Sequence, residues 1–104
     1  MKYENLSETE KAQYAKDIEN RLSFLISSLE GTITNKTIKE AKHFLEYREW
    51  ELCLQNLGYD YIELKTPVSE DSYNEMVSLC ITMGIPDDDG DSWFYEKLIE
   101  RHSQ

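Results

Sequence analysis

The sequence is poor in residues that interrupt helices, with four glycines and two prolines among 104 residues. Long helical segments are therefore possible between them. No apolar run approaches the roughly 20 residues that a membrane-spanning helix needs. The N-terminal segment also lacks the apolar stretch of a signal peptide. We therefore expect a cytoplasmic protein that has no membrane partner.

Cysteine and basic residues are also scarce. Cys53 and Cys80 fall on apolar stripes of predicted helices, a position typical of buried free thiols. The chain has 11 Lys and Arg against 21 Asp and Glu, a formal net charge of −10. Such a charge disfavours binding to nucleic acid or to an anionic membrane, and it favours a cationic partner.

Motifs of catalysis and of cofactor binding are missing as well. The sequence has no glycine-rich phosphate loop and no nucleophile turn, and its two histidines are far apart, at His43 and His102. Neither histidine belongs to a Cys/His ligand spacing. We expect a protein that is not an enzyme and has no cofactor or bound metal.

Apolar periodicity predicts helices throughout. A chain of this length forms one domain, residues 1–104, with a core of its own. No segment shows the alternation of a strand, so the predicted fold is all-α, a single compact bundle of about five helices. The residues that mark its helix ends are Ser7 with Glu10, Gly31, Thr34 or Thr37, Ser69, Gly84, and Asp91 or Ser92.

The segment from Trp50 to Leu64 is predicted to be the central helix. Its apolar residues form one stripe at helical spacing, with Leu52 and Tyr59 roughly opposite, so we expect neighbours to cover it on two sides. A continuous rod over 35–64 would be about 45 Å long. That is too long for a domain whose radius of gyration should be about 13 Å. We therefore predict a tight turn over residues 47–49.

The loop Asp87–Asp91 is the only cluster that resembles a motif. With Gly90 as the sixth position of a calcium loop, Asp87, Asp89 and Glu96 take ligand positions, but Ile85 occupies the first. Weak calcium binding is therefore an alternative that we do not favour. The other two interpretations are a solvated turn that caps a helix and a contact patch for a cationic partner.

The excess negative charge lies in the second part of the chain. Residues 1–59 have ten acids and eight bases, whereas residues 60–104 have eleven acids and three bases. We predict that these acids form one negative surface, with exposed aromatic residues as anchors. The predicted contact residues are Asp60, Glu63, Glu70, Asp71, Glu75, Asp87, Asp88, Asp89, Asp91 and Tyr59.

The other aromatic residues divide into two groups. Tyr47 and Tyr95 are expected to be exposed like Tyr59, whereas Tyr61 and Tyr73 are expected mainly in the core. In the last helix, we expect the inward residues to be Trp93, Phe94, Leu98 and Ile99.

Three short motifs connect the chain with a known family. They are Glu49-Trp-Glu-Leu-Cys-Leu54, the step Pro67-Val-Ser69 into the next helix, and Met83-Gly84 at that helix's end. Over residues 36–85 the chain resembles MafI-type immunity proteins of bacterial toxin–immunity systems, including those of contact-dependent growth inhibition. Cys53 stands where those proteins usually have alanine, and the turn before Trp50 lacks their frequent glycine.

This resemblance implies a cytoplasmic protein that forms a toxin–immunity complex and blocks its cognate toxin. Such toxins are commonly RNase or DNase domains, whose substrate sites are basic. We therefore expect a nuclease inhibitor that covers a basic active site with its acidic surface, as a monomer or weak dimer. The alternative is an acidic helical adaptor whose partner is not a toxin.

Overall fold

The computed structural model describes residues 3–104. Five α-helices follow a short 3₁₀ turn at Tyr3–Asn5, and no residue of this part lies in a strand. The all-α prediction is confirmed. The helices are α1 (Glu8–Leu29), α2 (Asn35–Glu46), α3 (Trp50–Ile62), α4 (Glu70–Thr82) and α5 (Ser92–His102), with a second 3₁₀ turn at Ile85–Asp87.

Most helix ends lie at the capping residues that the sequence predicts. Ser7 and Glu10 form the capping box of α1, and Ser69 accepts the Ser72 N–H at the start of α4. Of the two threonines considered for α2, Thr34 is the N-cap and accepts the N–H of Thr37. These bonds satisfy amides that the first helical turn leaves without a partner.

The predicted tight turn between α2 and α3 is present. Tyr47 caps the end of α2, and Arg48 adopts the left-handed conformation, with a φ of 57°. This conformation is uncommon for a residue with a side chain. The Glu49 N–H donates to the Phe44 carbonyl at 2.9 Å, which closes the turn without a glycine.

Helix α3 packs against each of the other four α-helices, as expected of a central helix. The Asn56 amide donates to the Thr37 carbonyl and Gln55 donates to Asp91, so α2 and α5 lie on either side of α3. Helices α1 and α4 contact each other, and each also contacts α3, so we describe α2, α3 and α5 as one layer and α1 and α4 as the other. The radius of gyration is 13.3 Å.

The core lies between the two layers, and Leu54, Leu57, Met76 and Leu79 in it have no exposed surface. Cys53 and Cys80 are buried free thiols there, as predicted. Within the described residues, no helix is both long and apolar enough to span a membrane.

The expectation that α3 is covered on two opposite sides is wrong. Leu52 is 47% exposed and Tyr59 is 51% exposed, because α2 and α5 flank this face without covering it. Leu64 is also exposed, because α3 ends at Ile62 and the apolar stripe does not continue past that point.

Candidate functional site

An open groove of about 770 Å³ lies between the N-terminus of α3 and the segment that joins α4 to α5. We call it the acidic groove. Its lining is both apolar and negatively charged, so a partner's side chain can meet both kinds of surface there. The lining residues are Glu4, Tyr14, Arg48, Glu49, Trp50, Glu51, Leu52, Met83, Gly84, Asp87 and Asp88.

The segment that forms one wall of the groove is shaped by backbone conformation and by one aspartate. Gly84 ends α4 in the left-handed conformation, with a φ of 72°, and Pro86 lies in the following 3₁₀ turn. The Asp88 carboxylate then accepts the N–H groups of Gly90 at 2.8 Å and Asp91 at 3.2 Å. An aspartate commonly stabilises a turn in this way.

Asp91 is the N-cap of α5 by position, but its side chain makes no capping bond. Its carboxylate instead accepts a hydrogen bond from Gln55 of α3 at 3.3 Å. Asp91 therefore connects α5 to α3, and Asp88 supplies the local turn bonds.

Glu51 is a carboxyl group of the groove whose surroundings disfavour its ionisation. Its pKa is raised to about 7 by partial burial, by a hydrogen bond to Asp91, and by the negative charges of Asp91 and Asp88. Burial and like charges both disfavour an anion. A cation placed in the groove would offset these effects and stabilise ionised Glu51.

The carboxylates of this region have no cationic partner within residues 3–104. No Lys, Arg or His nitrogen of that part lies within 4.0 Å of the carboxylate oxygens of Glu49, Glu51, Asp87, Asp88, Asp89 or Asp91. Arg48 lines the groove, but its Nε bonds to Glu19 at 3.0 Å.

The predicted contact acids do not form one surface. Glu70 and Asp71 are in the first turn of α4, whereas Asp87–Asp91 follow its last turn. The 13 residues of α4 separate the two groups by about 18 Å at 1.5 Å per residue. Glu63, at the C-terminal end of α3, belongs with the Glu70 end. Near the end of α5, Arg101 donates to the Tyr61 carbonyl of α3, and the next residue, His102, bonds to Glu70.

Besides Asp88 and Asp91, three more of the predicted contact acids have partners within the fold. Glu70 bonds to His102 at 2.8 Å, and Glu75 bonds to Arg21 at 2.6 Å. The expectation that Asp60 is exposed is wrong, since it has no exposed surface. Its two carboxylate oxygens accept the Thr34 N–H and the Thr37 hydroxyl, each at 2.8 Å, so Asp60 stabilises the start of α2.

The aromatic predictions are partly confirmed. Tyr59 and Tyr47 are exposed, and Tyr61 and Tyr73 are buried. Tyr95, expected at the surface, packs partly against the core.

Two residues of α5 that the sequence predicted to face the core are exposed instead. Trp93 is 48% exposed and Ile99 is 38% exposed. The contact of Phe94 and Leu98 with α3 and the core sets the orientation of α5, which turns Trp93 outward.

The sequence prediction missed Glu49 and Glu51, which the structure places beside the aspartate loop. One signal for Glu51 was available in the spacing of Glu51, Gln55, Gly58 and Ile62, which share one side of α3. Gly58 on that side allows α5 to pack closely against α3, because a Cβ at this position would lie 2.5 Å from the Phe94 ring.

Metal binding has no structural support among residues 3–104. No three His, Cys, Asp or Glu side chains of this part come together in a group that could hold a metal ion. The positions Asp87, Asp89 and Glu96 of the hypothetical calcium loop therefore do not converge.

Comparison of the chain with protein-family models, with curated proteins and with solved structures finds no match.

Proposed function

We propose that this protein is an immunity protein that binds a cognate toxin domain, a basic nuclease, and neutralises it by covering its active site. The observation that carries this proposal is the acidic groove, whose lining includes Glu49, Glu51, Asp87 and Asp88. None of these four carboxylates is ion-paired within residues 3–104, and the one arginine of the lining is paired with Glu19. The motif resemblance to MafI-type immunity proteins supports the same function.

The mechanism needs no chemistry in this chain. A nuclease holds phosphate with Arg and Lys side chains, and carboxylates can take the place of phosphate beside them. Glu49, Asp87 and Asp89 are exposed and have no intramolecular cation within the described chain. Complementary charge also increases the association rate, up to about 10⁸–10⁹ M⁻¹s⁻¹ at low salt.

The test begins with co-expression of the tagged chain and the product of the adjacent upstream open reading frame. If the proposal is correct, the two proteins co-purify, and added chain stops cleavage of labelled RNA or DNA by the partner. If they associate but the partner has no toxin activity, the adaptor alternative is correct. If they do not associate, the proposed function is wrong for that pair.

A charge-reversal variant tests the acidic groove. We expect Glu49→Lys/Asp87→Lys/Asp89→Lys to weaken binding at least ten-fold at 50 mM salt, with a smaller effect at 500 mM. The matched control, Glu63→Lys/Asp71→Lys/Glu100→Lys, makes the same change in net charge toward the other end of α4 and α5. Equal loss in both variants would show that only net charge matters and that the groove is not the contact site.

A further inference from the structure

The outward side of α3 carries two apolar side chains that no other part of residues 3–104 covers. Leu52 and Tyr59 are about half exposed, and Leu54 and Leu57 on the same helix have no exposed surface. At 100° per residue, Leu52 and Tyr59 lie about 20° from each other and roughly opposite the two buried leucines. The two side chains therefore point directly away from the core.

Helix α5 places Trp93 on the same side. The Gln55–Asp91 bond joins the middle of α3 to the start of α5, and Arg101 donates to the Tyr61 carbonyl near the ends of both helices, so the helices are parallel. Buried Leu98 faces the core. Trp93 lies about 140° from Leu98 around α5. Its 48% exposed ring therefore lies outward, at a level between Leu52 and Tyr59.

Tyr47, the C-cap residue that follows α2, lies on the other flank. Ile38 of α2 is buried in the core, and Tyr47 follows it by nine residues, which is a rotation of about 180° at 100° per residue. Tyr47 is 63% exposed. Its ring lies 4.8 Å from that of His43, one turn earlier. The side chains of three adjacent helices therefore form one outward surface, which we call the outer face: Tyr47, Leu52, Tyr59 and Trp93.

We propose that the outer face is the apolar centre of the interface with a protein partner whose matching surface has an apolar patch flanked by arginine and lysine. This inference rests on the proposed function and adds the apolar part of the same interface to the acidic groove. Tryptophan and tyrosine are enriched among the residues that contribute most to binding at protein interfaces. Isolated exposed apolar residues need no explanation, but four on one layer of three helices form a patch.

Charge determines which partner can cover this patch. Leu52 belongs both to the outer face and to the lining of the acidic groove, so the apolar and the negative surfaces are continuous. Lys97, one turn after Trp93, is a positive residue on the outward side of α5. The carboxylates of the groove outnumber Lys97 and Arg48, and Arg48 is already paired with Glu19. A second copy of this chain would bring the same negative groove to the contact.

The dimensions of the surface fit one partner that contacts both regions. Helix α3 is about 20 Å long, and three helices packed about 9 Å apart make a layer roughly 25 Å wide. The outward side of this layer, with the outer face at its centre, therefore covers roughly 500 Å², less than the roughly 800 Å² that each partner buries in a standard interface. The adjoining acidic groove supplies the remaining area.

The test measures binding of the purified product of the adjacent open reading frame to three proteins at 50 and 500 mM salt. They are the natural chain, Leu52→Ser/Trp93→Ser, and the control Phe24→Ser/Ile81→Ser. The control residues are also exposed apolar side chains, but they lie in α1 and α4 of the other layer. Circular dichroism melts check that both variants are folded.

We expect Leu52→Ser/Trp93→Ser to bind at least thirty-fold more weakly at both salt concentrations, while the control binds within three-fold of the natural chain. The salt dependence should remain, because the groove carboxylates are unchanged.

If the natural chain binds and Leu52→Ser/Trp93→Ser binds equally well, the inference is wrong and the proposed function stands. If the natural chain does not bind, both fail. If light scattering shows a dimer that the Leu52→Ser/Trp93→Ser variant dissociates, a second copy covers the outer face and the inference is wrong.

Discussion

Asp60→Ala should destabilise the fold more than any change at a surface carboxylate. Asp60 has no exposed surface, and its oxygens accept two hydrogen bonds of 2.8 Å, from the Thr34 N–H and the Thr37 hydroxyl. Hydrogen bonds to a charged group contribute about 1.5–3 kcal/mol each, and donors left without a partner in the interior add to the loss. We therefore expect the free energy of unfolding to fall by about 3–5 kcal/mol.

That loss corresponds to a large shift in melting temperature. At about 2.1 cal/mol/K per residue, the unfolding entropy of this chain is about 0.22 kcal/mol/K. Asp60→Ala should therefore melt about 14–23 °C lower. Asp60→Asn, which keeps one acceptor oxygen, should lose about 1–2 kcal/mol, or about 5–9 °C.

The measurement is a circular dichroism melt at pH 7, with Glu63→Ala as the matched control. Glu63 lies three residues after Asp60 and is exposed, so its removal makes the same change in net charge. We expect the control to stay within about 0.5 kcal/mol of the natural chain. Hydrogen exchange should also show faster exchange of the Thr34 amide in Asp60→Ala. A melting temperature within 3 °C of the natural chain would refute the assigned role of Asp60.

Three further predictions follow from buried or partly buried groups. Gly58→Ala should lower the free energy of unfolding, measured by urea titration, by about 1–2 kcal/mol, because its Cβ would lie 2.5 Å from the Phe94 ring. Adding Phe94→Leu to the Gly58→Ala chain should recover part of that loss. The pKa of Glu51 is raised to about 7, above its value in the unfolded chain. The folded state therefore binds more protons than the unfolded state between about pH 4.5 and pH 7, and the free energy of unfolding should fall as the pH rises through this range. Melts between about pH 5 and pH 8 should show that Glu51→Gln is more stable than the natural chain at pH 8 and that the difference disappears near pH 5. Equal pH profiles would contradict the raised pKa. Burial raises the pKa of Cys53 and of Cys80 to about 12, so neither thiol should react with a disulfide reagent at pH 8 until urea unfolds the chain.

The sequence by itself determined where most helices begin and end. The capping bonds of Ser7, Thr34 and Ser69 each join residues three positions apart, and Gly84 ends α4 through its own backbone conformation. Such interactions depend on neighbours along the chain, so a local pattern is enough to predict them. The free buried thiols were predictable for the same reason, since helical periodicity places both on apolar stripes.

The candidate site was only partly predictable. The aspartates of the loop were evident as a cluster, but their neighbours Glu49 and Glu51 come from the start of α3, about 40 residues earlier in the sequence. Only the packing of α5 beside α3 brings them together, through the Gln55–Asp91 bond and the contact of Phe94 with Gly58.

Tertiary structure alone decided the positions of Asp60 and Trp93. The partners of Asp60 lie 23 and 26 residues earlier in the chain, so its charge predicted exposure, whereas α2 supplies the donors that allow it to be buried. Trp93 is apolar enough for the core, but the contact of Phe94 with α3 fixes the rotation of α5 and leaves Trp93 at the surface. A helix face becomes interior or exterior only when another helix packs against it, and the partner helix is distant in sequence.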